Sequence, residues 1–312
     1  MNNVIISTGD PAGCSPELIL PLIEERKNER LIFVGPPALR EYLPERLPDF
    51  EGPGASFNCW YEAGNIDPDQ ISSGDINSSS GAAALDSLKG ALELSEKLDN
   101  CSLLTLPLSK SAVQASGEAN FLGHTEFLEN FWSAPGVMSF FGEKFNVALL
   151  TRHCPIDSVS SLLRPEKIIQ TINTCRRFFE RRFSPKFALL GLNPHSGEKG
   201  LLGGEETEIL RPAVEQLRSE GLDITGPFPA DSFLPISGGD VDMIFACYHD
   251  QGLVPFKQLH FFTGIQATLG LPIPRVSPDH GTAAKIAGTG QVDTRSAINC
   301  LKWLRRWWGA EE

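Results

Sequence analysis

Three histidines of the sequence have the chemistry and the placement expected of metal ligands. His153, His195 and His249 each follow a short apolar segment that predicts a buried strand. If these strands belong to one parallel sheet, their carboxyl ends share an edge and the imidazoles converge there. Three neutral imidazoles with an open coordination position are typical of a catalytic divalent-metal site. One such histidine alone is more often structural, so the repetition is what favours a metal.

The stretch that follows the third predicted strand is rich in polar side chains separated by glycines. The apolar run at 243–247 is followed by six groups with hydrogen-bonding or charged ends: His249, Asp250, Gln251, Lys257, Gln266 and Arg275. Lysine and arginine donate to phosphate and carboxylate oxygens. This stretch therefore predicts a site for an anionic substrate.

Three turns nearer the amino terminus could also contact an anion. Residues 9–13, a glycine-rich turn between a predicted strand and helix, suit a tight connection or a ligand contact equally well. Ser109 and Lys110 follow another predicted strand; a phosphate contact is one interpretation, and a helix N-cap followed by a solvated lysine is the simpler one. His124 and Thr125 stand at a predicted helix start, beside free backbone N–H donors.

The elements that must position these residues alternate between strand and helix. Apolar runs predict strands at 3–8, 30–35, 103–106, 146–151, 186–192 and 243–247. Amphipathic patterns predict helices at 81–98, 165–181, 205–219 and 294–308. Such alternation favours an α/β fold with a mainly parallel sheet. No strand is followed by G-x-G-x-x-G and no P-loop motif occurs, so neither a standard Rossmann fingerprint nor a P-loop is indicated.

Composition excludes several classes of protein. The 312 residues carry a net charge of −12, which disfavours binding to nucleic acid or to anionic membrane. Apolar runs are too short for a membrane span, and the amino terminus enters a strand at once, so a cytoplasmic location is expected. The seven cysteines are widely spread without a C-x-x-C pair, which indicates neither a disulfide framework nor a zinc ribbon.

Seven short motifs, spread in order over nearly the whole chain, resemble the 4-hydroxythreonine-4-phosphate dehydrogenase (PdxA) family of pyridoxal phosphate biosynthesis. They are GDPAG at 9–13, GHTE at 123–126, NPHSGE at 193–198, PFPADS at 227–232, YHDQG at 248–252, LGLP at 269–272 and DHGTA at 279–283. A single motif of this length is weak, whereas seven in sequence are specific.

The resemblance implies an isocitrate/isopropylmalate dehydrogenase-like fold with two α/β domains around a central cleft. The expected first domain is discontinuous and covers residues 1–115 and 284–312. The expected second domain, 116–283, carries the metal site and the dimer interface. The family works as a homodimer with its active site at the subunit interface, so the metal ligands are expected to be shared between two subunits.

The resemblance also assigns roles to individual residues. The metal ligands, for one zinc, magnesium or cobalt ion, are His153, His195 and His249. The substrate contacts are His124, Thr125, Lys257, Gln266 and Arg275. The loop for NAD or NADP contains Asp279, His280, Gly281 and Thr282. The candidate catalytic residues are Lys257, a proton carrier, and Asp231 and Asp250, which are either bases or orienting residues, or else caps and ion pairs away from the reaction.

The implied reaction is metal-assisted oxidation of 4-phosphohydroxy-L-threonine at C3 by NAD, followed by decarboxylation to 3-amino-2-oxopropyl phosphate. The alternative is a paralogous dehydrogenase acting on D-threonate or D-erythronate 4-phosphate. This alternative stays open because Gln266 stands where the family usually has asparagine.

Cys14-Ser15, Arg152 and Cys154 are further departures from the family pattern. A metal-dependent phosphohydrolase and a non-catalytic dimeric ligand-binding module are the other two classes considered.

Overall fold

The computed structural model describes residues 1–41, 43, 46–52 and 54–309. Within these residues the strands are β1 Asn3–Ser7, β2 Arg30–Gly35, β3 Asn58–Glu62, β4 Cys101–Thr105, β5 Val137–Phe141, β6 Val147–Leu149, β7 Lys186–Leu190, β8 Asp223–Phe228, β9 Met243–Ala246, β10 Ile265–Leu269 and β11 Arg275–Pro278. The helices are α1 Ser15–Glu25, α2 Pro37–Arg40, α3 Ser78–Ser95, α4 Lys110–Ala115, α5 His124–Trp132, α6 Val159–Leu162, α7 Pro165–Phe179, α8 Arg211–Ser219, α9 Ala230–Ser237, α10 His249–His260 and α11 Arg295–Trp308.

The chain forms two compact units whose boundaries differ from the expected domains. Unit 1 comprises Met1–Ala134 and Leu271–Glu312, and unit 2 comprises Pro135–Gly270. Residues 116–134 and 271–283, expected in the second domain, belong to unit 1. The reason lies in their partners: β11 pairs in parallel with β4, and Phe121 and Leu128 lie in the same apolar core as Leu88 of α3.

Unit 1 is built on a fully parallel sheet. Its strands lie in the order β3-β2-β1-β4-β11, and each neighbouring pair is parallel. β1, β2 and β4 are buried along their whole length, as expected of parallel strands covered on both faces. The predicted parallel sheet is therefore confirmed in this unit.

Unit 2 has a mixed sheet in the order β10-β5-β6-β9-β7-β8. β5 runs antiparallel to both β10 and β6, while the pairs β6–β9, β9–β7 and β7–β8 are parallel. The short connection from β5 to β6 allows only an antiparallel pair, because parallel neighbours need a crossover. The three strands that precede the histidines, β6, β9 and β7, are adjacent and parallel, as the sequence predicts.

The site-bearing stretch after β9 forms a helix, an element that the sequence patterns did not predict. β9 ends at Ala246, and α10 begins at His249 with Pro255 inside it. Leu253 and Phe256 are buried in the core of unit 2, and this packing outweighs the unfavourable helix propensity of proline. Among the described residues, none of the helices has the length and apolar character that a membrane crossing requires.

Candidate functional site

Two of the three predicted metal ligands lie side by side in unit 2. His153 follows the end of β6, and His249 is the first residue of α10; their ring centroids are 5.6 Å apart. Because β6 and β9 are parallel neighbours, the chain segments after them leave the sheet at the same edge. The two rings line a cleft of about 520 Å³ together with Arg152, Cys154 and other residues.

The carboxylate of Asp250 orients the ring of His249. Asp250 Oδ1 lies 2.7 Å from His249 Nδ1. Since an ionised carboxylate only accepts, Nδ1 carries the proton and donates, which leaves the lone pair of a neutral imidazole on Nε2. Histidines that bind metals are commonly held by such a bond. Asp250 is thus placed to orient a candidate metal ligand, one of the roles considered for it.

Gln251 has a structural role that the sequence did not reveal. Its Oε1 accepts from the Cys247 N–H at 2.7 Å, and its Nε2 donates to the Gly191 carbonyl at 2.7 Å. The side chain therefore joins the end of β9 to the end of β7 and fixes the start of α10. Its amide oxygen and one of its amide N–H groups are therefore used inside the protein.

His195 lies after β7 in a left-handed turn. The five residues His195 to Lys199 all have positive φ, between 44° and 74°. Ser196 Oγ donates to the Pro227 carbonyl at 2.9 Å, which ties the turn to the end of β8. Asn193, two residues before His195, donates through its backbone N–H to buried Glu206 at 2.7 Å. These bonds hold a backbone that costs non-glycine residues free energy.

Within the described residues of a single chain, no group of three His, Cys, Asp or Glu side chains is gathered to hold a metal ion. The paired rings of His153 and His249, with His249 oriented by a carboxylate, fit two positions of a divalent-ion site. His195 does not complete a third position within the same chain.

The predicted substrate residues of unit 1 surround the start of α5. Burial lowers the pKa of His124 well below its usual range, and the charges of Arg275 and Lys110 add to this effect, so the ring is neutral near pH 7. Its Nε2 is buried and makes no hydrogen bond to any described residue. Thr125 is buried beside it. The start of α5 therefore presents an unused polar atom next to positive charge.

Arg275 is a buried cation at the start of β11. Only 2% of it is exposed, and its Nη2 donates to Thr105 Oγ1 at 2.6 Å. Burial lowers the pKa of its guanidinium to about 10, so it remains charged at neutral pH. A buried guanidinium with a fixed orientation is suited to a carboxylate or a phosphate.

Three further predicted residues lie in unit 2. Lys257 is half-buried on α10, the helix that begins with His249. Gln266 is buried in β10, where its Nε2 donates to Thr268 Oγ1 at 3.1 Å. Asp231 is exposed in the first turn of α9. The structure brings Lys257 onto the histidine-bearing helix and leaves Asp231 at the surface of the unit.

The predicted cofactor loop packs against the glycine-rich turn at 9–13. The Cys14 N–H donates to the Thr282 carbonyl at 2.8 Å, and a Cβ on Gly13 would lie only 3.0 Å from Thr282. His280 Nε2 is buried and has no hydrogen-bond partner among the described residues. A close approach that only glycine allows, together with an unused buried nitrogen, fits a loop that receives a ligand.

Cys14 and Glu17 position this loop and were not identified as site residues from the sequence. Cys14 is fully buried, and burial raises the pKa of its thiol to about 12, so it packs as a neutral side chain. Glu17 accepts from the N–H groups of Gly288 and Gly290 at 2.7 and 2.8 Å. The only sign of the role of Glu17 in the sequence is its place as an acidic residue in the first turn of α1. Acidic residues are common there because they interact favourably with the helix dipole, so this position alone does not indicate a contact with a distant loop.

Proteins with known names resemble this chain over almost its full length. A 4-hydroxythreonine-4-phosphate dehydrogenase of Xanthobacter autotrophicus is 37% identical, with 99% of this chain and 94% of the relative covered. A Salmonella typhi protein, provisionally named D-threonate 4-phosphate dehydrogenase, is 34% identical over 96% of this chain and 97% of its own.

Solved structures give the same result. A crystal structure of 4-hydroxythreonine-4-phosphate dehydrogenase from Klebsiella pneumoniae matches with a TM-score of 0.81 and 32% identity, covering 100% of this chain and 98% of the other. Isocitrate dehydrogenase from Methylococcus capsulatus matches with a TM-score of 0.52 and 13% identity over 99% and 86% of the two chains, a likeness of fold alone. The expected isocitrate/isopropylmalate dehydrogenase-like fold is confirmed. With residues 47–304 matching the family profile described as pyridoxal phosphate biosynthetic protein PdxA, this chain belongs to the PdxA family.

Proposed function

We propose that the chain is an NAD-dependent dehydrogenase that oxidises 4-phosphohydroxy-L-threonine at C3, with subsequent decarboxylation to 3-amino-2-oxopropyl phosphate. Membership of the PdxA family supports this activity. The observation that carries the proposal for the site is the pair of rings of His153 and His249, 5.6 Å apart at the edge of the sheet of unit 2.

His153 and His249 would hold a divalent ion, with Asp250 keeping the proton of His249 on Nδ1. When bound, such an ion supplies a Lewis acid for the alcohol that is oxidised and for the ketone that forms. His195 of a second copy of the chain would provide the third imidazole. This arrangement requires a homodimer, and it accounts for the lack of a three-ligand group among the described residues of one copy.

The remaining site residues would bind the substrate and move protons. Arg275 and the start of α5, with His124 and Thr125, offer a buried cation and hydrogen-bonding groups for the anionic ends of the substrate. Lys257 is the candidate proton carrier, because it lies on the helix that begins with His249. Asp231 stays a candidate base, and its exposed position on α9 leaves an ion pair or cap as the other role.

Residues 279–282 would hold the nicotinamide cofactor, either NAD or NADP. When bound, such a cofactor would supply the acceptor for the hydride from C3, and these residues would align it. Cys14 and Glu17 would keep the backbone of this region in place through the bonds described above. The cytoplasm is the compartment proposed for this reaction.

A second substrate, D-threonate or D-erythronate 4-phosphate, is the alternative. The Salmonella typhi relative carries a name of this kind. Gln266, buried in β10, has a longer side chain than the asparagine expected of the family, which changes how far its amide reaches. A change in reach at a substrate contact affects which hydroxyl or amino group is bound.

One assay separates these possibilities. NADH formation is followed with 4-phosphohydroxy-L-threonine and with the threonate and erythronate 4-phosphates, before and after removal of metal by a chelator. The proposal expects turnover that is greatest with 4-phosphohydroxy-L-threonine, is lost on chelation and returns with added divalent ion. Phosphate release without any cofactor would instead indicate a phosphohydrolase, and binding without turnover would indicate a ligand-binding module.

A further inference from the structure

Lys110 extends along the start of α5, although it belongs to a different helix. A Cβ placed on Gly123 would lie 2.9 Å from Lys110 Cε and 3.2 Å from its Nζ. Gly123 has a φ of 139°, in the region that favours glycine, and its missing side chain leaves the space that Lys110 occupies. The glycine before His124 therefore lets an ammonium group lie against the first turn of the helix.

The neighbourhood of this ammonium group is mainly positive or donating. Lys110 and Arg275 both act electrostatically on the ring of His124. The N-cap residue Gly123 has no side chain to accept from the first N–H groups of α5, a helix of nine residues. Such N–H groups have no partner inside the helix, and they favour negative charge. The buried Nε2 of His124 adds a polar atom that makes no hydrogen bond within the described chain.

Lys110 itself is not used in the internal contacts of the protein. Among the described residues it makes neither a hydrogen bond nor an ion pair within 4.0 Å. A carboxylate lies close by: Oε2 of Glu126 would be 3.4 Å from the same point on Gly123. The neighbouring Ser109 is the N-cap of α4, accepting from the Ala112 N–H. The simpler interpretation is thus confirmed: Ser109 is an N-cap and Lys110 is exposed, and the Lys110 side chain in addition lies beside a second helix start.

We propose that Lys110 is a further substrate-binding residue, and that it holds the phosphoryl group of the substrate against the start of α5. This inference rests on the proposed function for the identity of the substrate. A phosphoryl group carries up to two negative charges and three terminal oxygens, and so matches an ammonium group, helix N–H groups and a neutral imidazole together.

The test measures binding without cofactor, so that it does not depend on turnover. Titration calorimetry gives dissociation constants of 4-phosphohydroxy-L-threonine, unphosphorylated 4-hydroxy-L-threonine and inorganic phosphate for the wild type and for Lys110→Met. Lys97→Met, which changes an exposed lysine of the same unit, is the matched control. Lys110→Arg keeps the charge, and Glu126→Gln removes the nearby carboxylate.

We expect Lys110→Met to weaken binding of the phosphorylated substrate and of inorganic phosphate by about tenfold or more, as for the loss of a charge-assisted hydrogen bond. Binding of the unphosphorylated compound should be the same in the two proteins, Lys110→Arg should restore most of the affinity, and Lys97→Met should match the wild type. Glu126→Gln should leave phosphate affinity unchanged or increased.

Equal phosphate affinity in the wild type and Lys110→Met would overturn the inference, as would an equal loss for the phosphorylated and unphosphorylated compounds. Failure of the proposed function looks different. In that case the wild type would not bind 4-phosphohydroxy-L-threonine more tightly than inorganic phosphate, while the phosphate affinity would still depend on Lys110. A wild type that binds no phosphate at all would also reject the role of Lys110.

Discussion

At the scale of single residues, the bond between Asp250 and His249 is the most direct sign of a metal ligand. The carboxylate fixes which ring nitrogen carries the proton, and it does so from the adjacent position in the chain. The types and positions of these residues were visible in the sequence. The 2.7 Å contact was not, because it depends on the helical start of α10.

Replacing Asp250 by asparagine should weaken binding of the divalent ion by about 10- to 100-fold, since residues that orient metal ligands contribute this much. The measurement is competition with a chromophoric chelator, using protein stripped of metal. Asp240→Asn, which changes another exposed carboxylate of unit 2, should bind metal like the wild type. Unchanged affinity in Asp250→Asn would show that His249 needs no such partner.

His260 makes the stability of unit 2 sensitive to acid. It is 3% exposed, and burial lowers the pKa of its ring, with Lys144 also lowering it and Glu143 opposing. Its Nε2 accepts from the Lys144 N–H at 3.4 Å, so the neutral ring is the form that fits. Below pH 6.5 the unfolded chain takes up a proton more readily than the folded one. The stabilising contribution is therefore present above pH 6.5 and is lost as the pH falls towards the lower folded pKa.

We expect this residue to lower the free energy of unfolding of the wild type as the pH falls below 6.5, with a slope that steepens towards at most about 1.4 kcal/mol per pH unit. His260→Gln cannot titrate, and its free energy of unfolding should depend less steeply on pH between 6.5 and 5. Urea unfolding at several pH values measures both slopes. Equal slopes in the two proteins would mean that His260 is not the titrating group.

Some residue roles lay outside what the sequence could reveal. Gln251 looked like site chemistry because it follows a strand, yet both ends of its amide bond to the backbone. Cys14 stood out only as a departure from the family pattern, yet it contacts residues 281 and 282, far away in sequence. In both cases the role depends on a neighbour that only the folded chain supplies.

At the scale of elements, the left-handed turn at 195–199 places a candidate metal ligand, His195, on a strained backbone. Four of its five residues have side chains, and each such residue in this conformation costs about 1–2 kcal/mol. The bond from Ser196 to Pro227 and the bonds from Asn193 to Glu205 and Glu206 offset part of this cost. The turn sets the direction of His195.

Lys199→Gly should raise the free energy of unfolding by about 1 kcal/mol, because φ at this exposed position is +60° and glycine adopts it without strain. Thermal or urea unfolding measures the change. The same substitution at Lys167, an exposed position inside α7, should lower stability by a similar amount. If both substitutions destabilise equally, the turn at 195–199 is not left-handed in solution.

The elements were predicted correctly where the sequence has a clear apolar run or a clear amphipathic pattern. β1, β2, β7 and α11 lie within a few residues of their predicted positions. β10 and β11 were missed because their apolar residues are mixed with polar ones that are buried by the sheet, such as Gln266 and Arg275. α10 was missed because its sequence, with Pro255 inside it, has a low helix propensity. The helix is stabilised instead by the packing of Leu253 and Phe256 in the core of unit 2.

At the scale of the whole molecule, unit 1 contains residues from both ends of the sequence, because the segment that begins at Leu271 packs with the amino-terminal segment. α11 packs against α1, and its Arg305 is 2% exposed, with an Nη2 to Glu29 Oε1 distance of 2.7 Å. Burial alone would raise the pKa of Glu29, but the hydrogen bonds and charge of Arg305 hold it below its ordinary value. The pair therefore stabilises above the unfolded pKa of 4.5, and this contribution is lost as the pH falls through the lower folded value.

Arg305→Met should lower the free energy of unfolding by about 3–5 kcal/mol at pH 7, because it leaves the buried carboxylate of Glu29 without its partner. The adjacent, exposed Arg306 provides the control, and Arg306→Met should change stability by less than about 0.5 kcal/mol. Denaturant unfolding distinguishes the two. Similar small changes in both variants would show that the pair contributes little.

The fold of the whole chain was predictable from motifs spread along it, and the boundaries of the two units were not. They depend on β11 pairing with β4 and on α5 joining the core of unit 1, which are contacts between segments distant in sequence. The sequence likewise predicts three histidines at one edge of the sheet, and the structure of one chain gathers two of them. A second copy is the proposed source of the third.

Mixing two inactive variants, His195→Ala and His153→Ala, tests this shared site most directly. Each variant alone should be unable to oxidise 4-phosphohydroxy-L-threonine, because each lacks one imidazole in every site. After dissociation and reassociation together, half of the dimers should be mixed, each with one intact site, so NADH formation should return to about a quarter of the wild-type rate. If the mixture stays as inactive as its components while mixed dimers are present, His153 and His195 do not come from different copies, and the account of the metal site is wrong.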